Sequence, residues 1–210
     1  KGLVIEAVSV EAIVAANVNA DADTITLPSG TFCLTRLTSL VGADATKGDL
    51  DITRSLTITG AGPQSTSISG NCGTQLNDRI LDVAANTGTT ITVNLSNLTL
   101  VDGDAAVGGS EPGGVLRLSG RSNTTSSLTL DNVVISGGVT DSTGGGLVCQ
   151  ANPSLNRVAN LTINSSTIEG NESGLSGGGI SLERCSAVTI NNTQFFDNIS
   201  RFRIFEHFDS

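Results

Sequence analysis

Four cysteines, Cys33, Cys72, Cys149 and Cys185, and a single histidine, His207, are the side chains best suited to redox, metal or proton chemistry. Zinc sites draw Cys and His from clusters at short spacing, and no CxxC pair occurs, so neither a metal centre nor a cofactor is expected. An even cysteine count in an acidic chain rich in Gly, Ser, Thr and Asn reads as two disulfides of a secreted protein. We expect Cys33–Cys72 and Cys149–Cys185. The second pair rests on approximate alignment, since Cys149 and Cys185 fall three and six residues after equivalent glycines. Of the remaining candidates, Asp102, Asp104 and Glu111 could gather around Ca²⁺ but lack a regular ligand spacing. Arg117, Arg121, Arg157 and Arg184 are the basic residues of the repeated region, and Arg117 and Arg184 are expected to share a face.

The elements that would position these residues follow from composition and repetition. The chain has 210 residues and a formal charge of −9, and its only lysines are Lys1 and Lys47. Phosphate-dominated nucleic-acid binding relies on dense Lys/Arg, so that class is excluded. No run approaches the ~18–20 apolar residues of a membrane span, so membrane insertion by a helix is excluded too. Trp, Tyr and Met are absent and there are six Phe, leaving Val, Ile, Leu and Ala to build the core. That suits a core one side chain deep. The chain opens at Lys1 with no signal peptide in view, as a processed extracellular protein would.

Internal repeats are the dominant signal. Gly113-Gly114-Val115-Leu116 returns as Gly144-Gly145-Gly146-Leu147 and Gly177-Gly178-Gly179-Ile180. Leu98-Thr99-Leu100, Leu128-Thr129-Leu130, Leu161-Thr162-Ile163 and Val188-Thr189-Ile190 form a second phrase. A third places Gly or Asn three residues after an apolar residue: Ile135 to Gly138, Ile168 to Asn171, Phe195 to Asn198. Each repeat holds short stretches of apolar–polar alternation, the period of a strand with one buried face. Three short strands per repeat separated by Gly, Asn and Ser turns make one coil of a right-handed parallel β-helix, an all-β solenoid. Asn171 and Asn198 are expected at equivalent left-handed corners with laddered amides. The segment from Ser9 to Asn17 is the one helical stretch, a cap for the N-terminal end. We therefore divide a single domain, 1–210, into an N-terminal cap (1–20), coils (21–200) and an aromatic tail (201–210).

These residues also resemble a known group. Glu11-Ala12-Ile13, then Asp23-Thr24-Ile25-Thr26-Leu27-Pro28-Ser29-Gly30, is similar to the start of bacterial secreted right-handed β-helix repeat proteins. Those often carry a Cys-Ser-Leu-Arg-Glu-Ala signature, degraded here, with Ala7 at the cysteine position. The Gly177–Ile180 and Phe195–Asn198 phrases look like those of polymorphic outer-membrane proteins and other autotransporter passengers. The resemblance implies a solenoid fold and an extracellular or cell-surface location. It implies adhesin or structural roles and no particular activity.

Many β-helices are polysaccharide lyases or hydrolases. Polygalacturonase-like enzymes place an adjacent Asp pair and a Gly-His-Gly on successive coils; this chain has no Asp-Asp dipeptide and its only His lies in the tail. No catalytic residue is assigned, and the expected function is a non-catalytic extracellular structural protein, a surface filament subunit or an adhesin. A carbohydrate-active enzyme or glycan-binding module is the alternative, and surface glycans are a further partner class. The tail concentrates Phe202, Ile204, Phe205 and Phe208, which would cap the solenoid or dock on another copy head to tail.

Overall fold

The computed structural model describes residues 3–4, 10–18, 21–34, 48–73, 76–106 and 111–201. All paired strands among these are parallel and match residues about one repeat apart. The result is a β-solenoid preceded by one short helix, Val10–Val18. A long sheet runs through Leu3–Val4, Asp23–Thr26, Leu56–Thr59, Thr90–Val101, Thr124–Ser136, Arg157–Asn164 and Ala187–Asn191 in that order. A second sheet stacks Leu50–Ile52, Leu81–Ala85, Leu116–Gly120, Leu147–Gln150 and Ile180–Glu183. A third holds Val139–Thr140, Glu172–Ser173 and Ile199–Ser200.

Alternation decides which side chains enter the solenoid, and register decides what they meet. Ile25, Ile58, Leu95, Leu130, Ile163 and Ile190 form one inward rank along the long sheet. Leu50, Leu81, Leu116, Leu147 and Ile180 form another along the second sheet. The fully enclosed core is one cluster of Ile, Leu, Val, Ala and Cys149, with no aromatic member among the described residues. Helix Val10–Val18 adds Ala12, Ile13 and Ala16 to that cluster. Asn17 ties the helix to the first strand of the second sheet: its amide donates to the Asp51 carbonyl at 2.7 Å and accepts from the Thr53 N–H at 2.9 Å.

Corners are set by residues that tolerate a left-handed backbone. Asn97, Asn132, Ser165 and Asn192 occupy equivalent bends with φ of 55°, 54°, 49° and 47°. The Asn132 amide donates to the Asn97 side-chain oxygen at 2.8 Å, a step of a ladder along the axis. Glycine is required at Gly145, where a Cβ would lie 2.3 Å from the Gly178 carbonyl oxygen of the next coil.

Two expectations on register and conformation are corrected. Leu98-Thr99-Leu100 does not align with Leu128-Thr129-Leu130; it pairs with Val133-Val134-Ile135, and Leu128 pairs with Val93. The long strands bend at Asn97 and Asn132, so one strand carries two Leu-containing phrases and the sequence offers both as matches. Asn171 and Asn198 are equivalent, and the Asn171 amide donates to the Asn198 oxygen at 2.9 Å. The left-handed corner lies one residue earlier, at Gly170 and Asp197. Asn171 turns inward, 1% exposed, where it bonds the Ile135 carbonyl and the Gly138 N–H.

Cys33 is bonded to Cys72 and Cys149 to Cys185. Cys149 belongs to the core, and Cys185 packs against it from the following coil. Loops of 39 and 36 residues are closed, for which chain entropy gives a stabilisation of about 3–4 kcal/mol each. Replacing Cys149 and Cys185 together by Ser should lower the urea-unfolding free energy by roughly that amount. Adding dithiothreitol to the parent should lower its melting temperature; an unchanged melting curve would contradict this.

Candidate functional site

The outward rank of the second sheet is chemically unlike the rest of the solenoid. Strands Leu50–Ile52, Leu81–Ala85 and Leu116–Gly120 place Asp51, Asp82 and Arg117 at successive register positions. Inward neighbours on both sides of each (Leu50 and Ile52, Leu81 and Val83, Leu116 and Leu118) force these three outward. Asp49 lies two residues before Asp51 and joins the same face. Arg79 and Glu111 approach it from the adjoining loops. The three aspartates are buried, at 6%, 5% and 3% exposure, and one carboxylate oxygen from each lies within 4.8 Å of the others.

Two guanidinium groups hold the cluster together. Arg117 grips both carboxylate oxygens of Asp82, through Nε at 3.1 Å and through Nη2, and reaches Glu111 through Nη1 at 2.8 Å. Arg79 bonds Asp49 at 3.2 Å and Glu111 at 3.1 Å. Burial opposes the charge on Arg117, but the Asp82 and Glu111 carboxylates outweigh it and hold the guanidinium protonated. Asp51 has no hydrogen-bond partner for its carboxyl among the described residues. Burial, and then the Asp82 carboxylate, push it up to about 7, against the pull of Arg117 and Arg79. Burial likewise raises Asp49 and Asp78, each partly offset by Arg79. At neutral pH Asp51 therefore carries its proton for part of the time, beside the Asp82 carboxylate that Arg117 holds. Asp49, Asp51 and Asp82 are also the residues that could supply oxygen ligands to a hard cation.

Several residues singled out in the sequence lie elsewhere. Glu111 turns to Arg79 and Arg117 and does not gather with Asp102 and Asp104. Arg117 and Arg184 do not share a rank: Arg117 aligns with Val148 and then Ser181, and Arg184 sits beyond the end of strand Ile180–Glu183 at φ 60°. Phe202, Ile204, Phe205, His207 and Phe208 lie outside the described residues. The acidic cluster itself was missed because its members are single carboxylates spread over separate repeats. A signal for it does exist. Leu50-Asp51-Ile52, Leu81-Asp82-Val83 and Leu116-Arg117-Leu118 repeat an apolar–charged–apolar triplet at the repeat spacing.

The last coil is the second unusual surface. Val188, Ile190, Phe195 and Leu182 are 38%, 41%, 46% and 47% exposed. Their register partners one coil back, Leu161, Ile163, Ile168 and Cys149, are at most 1% exposed. Among the described residues no later strand pairs with Ile180–Glu183, Ala187–Asn191 or Gln194–Phe196, and their apolar rank is exposed.

The carboxyl cluster makes stability depend on pH. An Asp whose folded pKa is raised favours the folded state while protonated, and that contribution is lost as pH rises through the folded value. Melting temperature should therefore fall between about pH 4 and about pH 7 and level off above that. A shift from 3.8 to about 7 corresponds to about 4 kcal/mol across the full range. Asp51→Asn should flatten that slope and be more stable than the parent at pH 8. Arg117→Ala, which strands Asp82 without its partner, should lose about 3–5 kcal/mol in urea unfolding.

No family model matches this chain, and no curated protein matches it. Among solved structures, a pectin methylesterase from Aspergillus niger is similar at 13% identity with a TM-score of 0.31, over 95% of this chain and 85% of that one. A likeness of that degree carries no inference about activity.

Proposed function

We propose that this chain is a non-catalytic extracellular structural module, a surface filament subunit or adhesin that assembles through the ends of its solenoid. The observation that carries the reading is the coil from Ile180 to Ser200, the last one among the described residues, whose inward rank is 38–47% exposed where the preceding coil is enclosed. The occupant that fits is a second copy. The long sheet ends in strand Ala187–Asn191 and begins in Leu3–Val4, so the head strand of one copy can extend the ladder left open at the tail of another. A contact between unlike ends propagates into a filament unless its rotation closes a ring. Two disulfides in a small chain fit an oxidising, extracellular setting.

The test is sedimentation velocity over a concentration series, together with negative-stain electron microscopy. The parent should form rods that lengthen with concentration, and Ile190→Lys, which places a charge on the floor, should reduce them to single units. Truncation before residue 201 separates a role of the last ten residues from that of the floor. A parent that stays monomeric at all concentrations would overturn the reading.

A second reading, a carbohydrate-active enzyme, has one observation in its favour. Asp51 and Asp82 on adjoining strands pair a proton-holding carboxyl with one fixed by Arg117. Paired carboxyls in distinct environments are what glycoside hydrolysis requires. Their burial, at 5% and 3% exposure, counts against access by a polymer. Reducing ends released from a panel of acidic and neutral polysaccharides by the parent, and lost in Asp82→Asn at matched stability, would establish this reading over the first.

A further inference from the structure

A cavity of about 550 Å³ opens on the corner between the second sheet and the long sheet, lined by Gln150, Ala151, Asn152, Arg157, Glu183 and Arg184. It lies well along the chain from the acidic cluster and shares no residue with it. Its wall is rigid. Asn152 and Arg157 exchange backbone hydrogen bonds at 3.1 and 3.0 Å across the short turn Pro153–Leu155. Arg184 adjoins Cys185, whose disulfide to Cys149 pins this part of the last coil to the core.

Two arginines and one glutamate line this cavity in a protein of net charge −9. Among the described residues Arg79, Arg117 and Arg201 have carboxylate partners, and Arg54, Arg121, Arg157 and Arg184 form no ion pair. The Nε of Arg157, like those of Arg54 and Arg79, is buried without a hydrogen-bond acceptor. Arg184 adopts φ 60°, an uncommon conformation for a residue with a long side chain. Glu183 shares the cavity but does not neutralise either arginine. Its carboxylate accepts from the Gln150 amide at 2.7 Å and from the Thr143 hydroxyl.

We propose that this cavity binds a carboxylate-bearing saccharide, with Arg157 and Arg184 taking the carboxylate and Gln150, Asn152 and Glu183 taking hydroxyls. Guanidinium forks match carboxylate geometry. The amides and Glu183 interleave donors and acceptors around them, which suits a polyhydroxylated ring. An acidic peptide would want apolar anchoring pockets beside the charges, and Ala151 is the only apolar residue in the lining. The site shares no residue with the carboxyl cluster, but Glu183 and Arg184 adjoin Leu182 of the proposed assembly surface, so the titrations are run on Ile190→Lys as well as on the parent to keep the two proposals distinguishable.

Isothermal titration calorimetry tests it with four probes: a uronic-acid trisaccharide, the same trisaccharide with its carboxyls reduced to alcohols, a sulfated disaccharide, and a triglutamate peptide. The uronate should bind, and the reduced form should bind at least tenfold more weakly. Arg184→Gln should weaken uronate binding at least tenfold while leaving the melting temperature within a degree or two. Arg121→Gln, at an exposed arginine outside the lining, should leave binding unchanged. Arg184 is chosen because it is exposed, whereas Arg157 starts a paired strand and its replacement could perturb folding. No heat with the uronate would overturn the proposal. So would equal affinity for the reduced form, tighter binding of the sulfated sugar or the peptide, or an Arg184→Gln variant that binds as the parent does.

Discussion

In-register parallel pairing is the constraint on which the other features depend. Each coil satisfies its backbone by bonding to the coils before and after it, about 4.8 Å away, so a residue's neighbour is its counterpart one repeat along the chain. Apolar side chains gain from this arrangement, since Ile25, Ile58, Leu95, Leu130, Ile163 and Ile190 meet like with like and close-pack. Corners inherit the same rule. If one coil bends at a left-handed residue, the next must bend there too, which is why Asn97, Asn132, Ser165 and Asn192 recur at one position with nearly the same φ. Asn suits that position twice over, because it tolerates the backbone and its amide can bond the amide of the next coil.

The same rule is hazardous for charge. Two aspartates at equivalent outward positions are stacked whether or not they repel, and at 4.8 Å the repulsion of two carboxylates is about 3–4 kcal/mol at an effective dielectric near 20. The solenoid answers in two ways. Arg117 follows Asp82 in the rank and takes both of its oxygens, and Asp51 keeps its proton to higher pH. Arg79 and Glu111, from outside the strands, complete the network. A buried network of this kind is weak evidence for stability and better evidence for specificity of arrangement. Here it ties Glu111 to the outer face of three successive coils.

Much of this architecture was legible in the residues, for a reason that also explains the failures. The Gly-Gly-Xaa-Leu phrases aligned correctly, with Leu116, Leu147 and Ile180 in register, because only glycine fits where a Cβ would strike the carbonyl of the next coil. The Leu-Thr-Leu phrase misled because β-propensity makes such triplets interchangeable, and a strand that bends at Asn97 or Asn132 contains two of them. The Asn171 backbone was misjudged because an asparagine that corrects a turn from inside reads, in sequence, like one that makes it. Carboxylates adjacent in sequence are no guide to the acidic cluster. In a parallel solenoid, carboxylates that act together are a whole repeat apart, and the three triplets around Asp51, Asp82 and Arg117 are that pattern. Reactivity on this fold should be sought along a rank and not along the chain.

The two ends of the ladder are not alike, and the asymmetry has a physical origin. At the head, helix Val10–Val18 contributes Ala12, Ile13 and Ala16 to the core and anchors through Asn17 to the first strand of the second sheet. Its hydrogen bonds are internal, so it covers the head of the second sheet without needing a partner strand there, while Leu3–Val4 begins the long sheet. At the tail, strand Ala187–Asn191 ends the long sheet among the described residues, and both its hydrophobic rank and its outer edge remain open. Enclosing Leu182, Val188, Ile190 and Phe195 as their counterparts are enclosed would gain on the order of 1 kcal/mol apiece, and a β-strand supplied in register would satisfy the edge as well. A helix could provide the first gain and not the second. Whatever covers this end most favourably is therefore itself a strand with an inward apolar rank at the same spacing, and a coil of this same repeat meets both requirements.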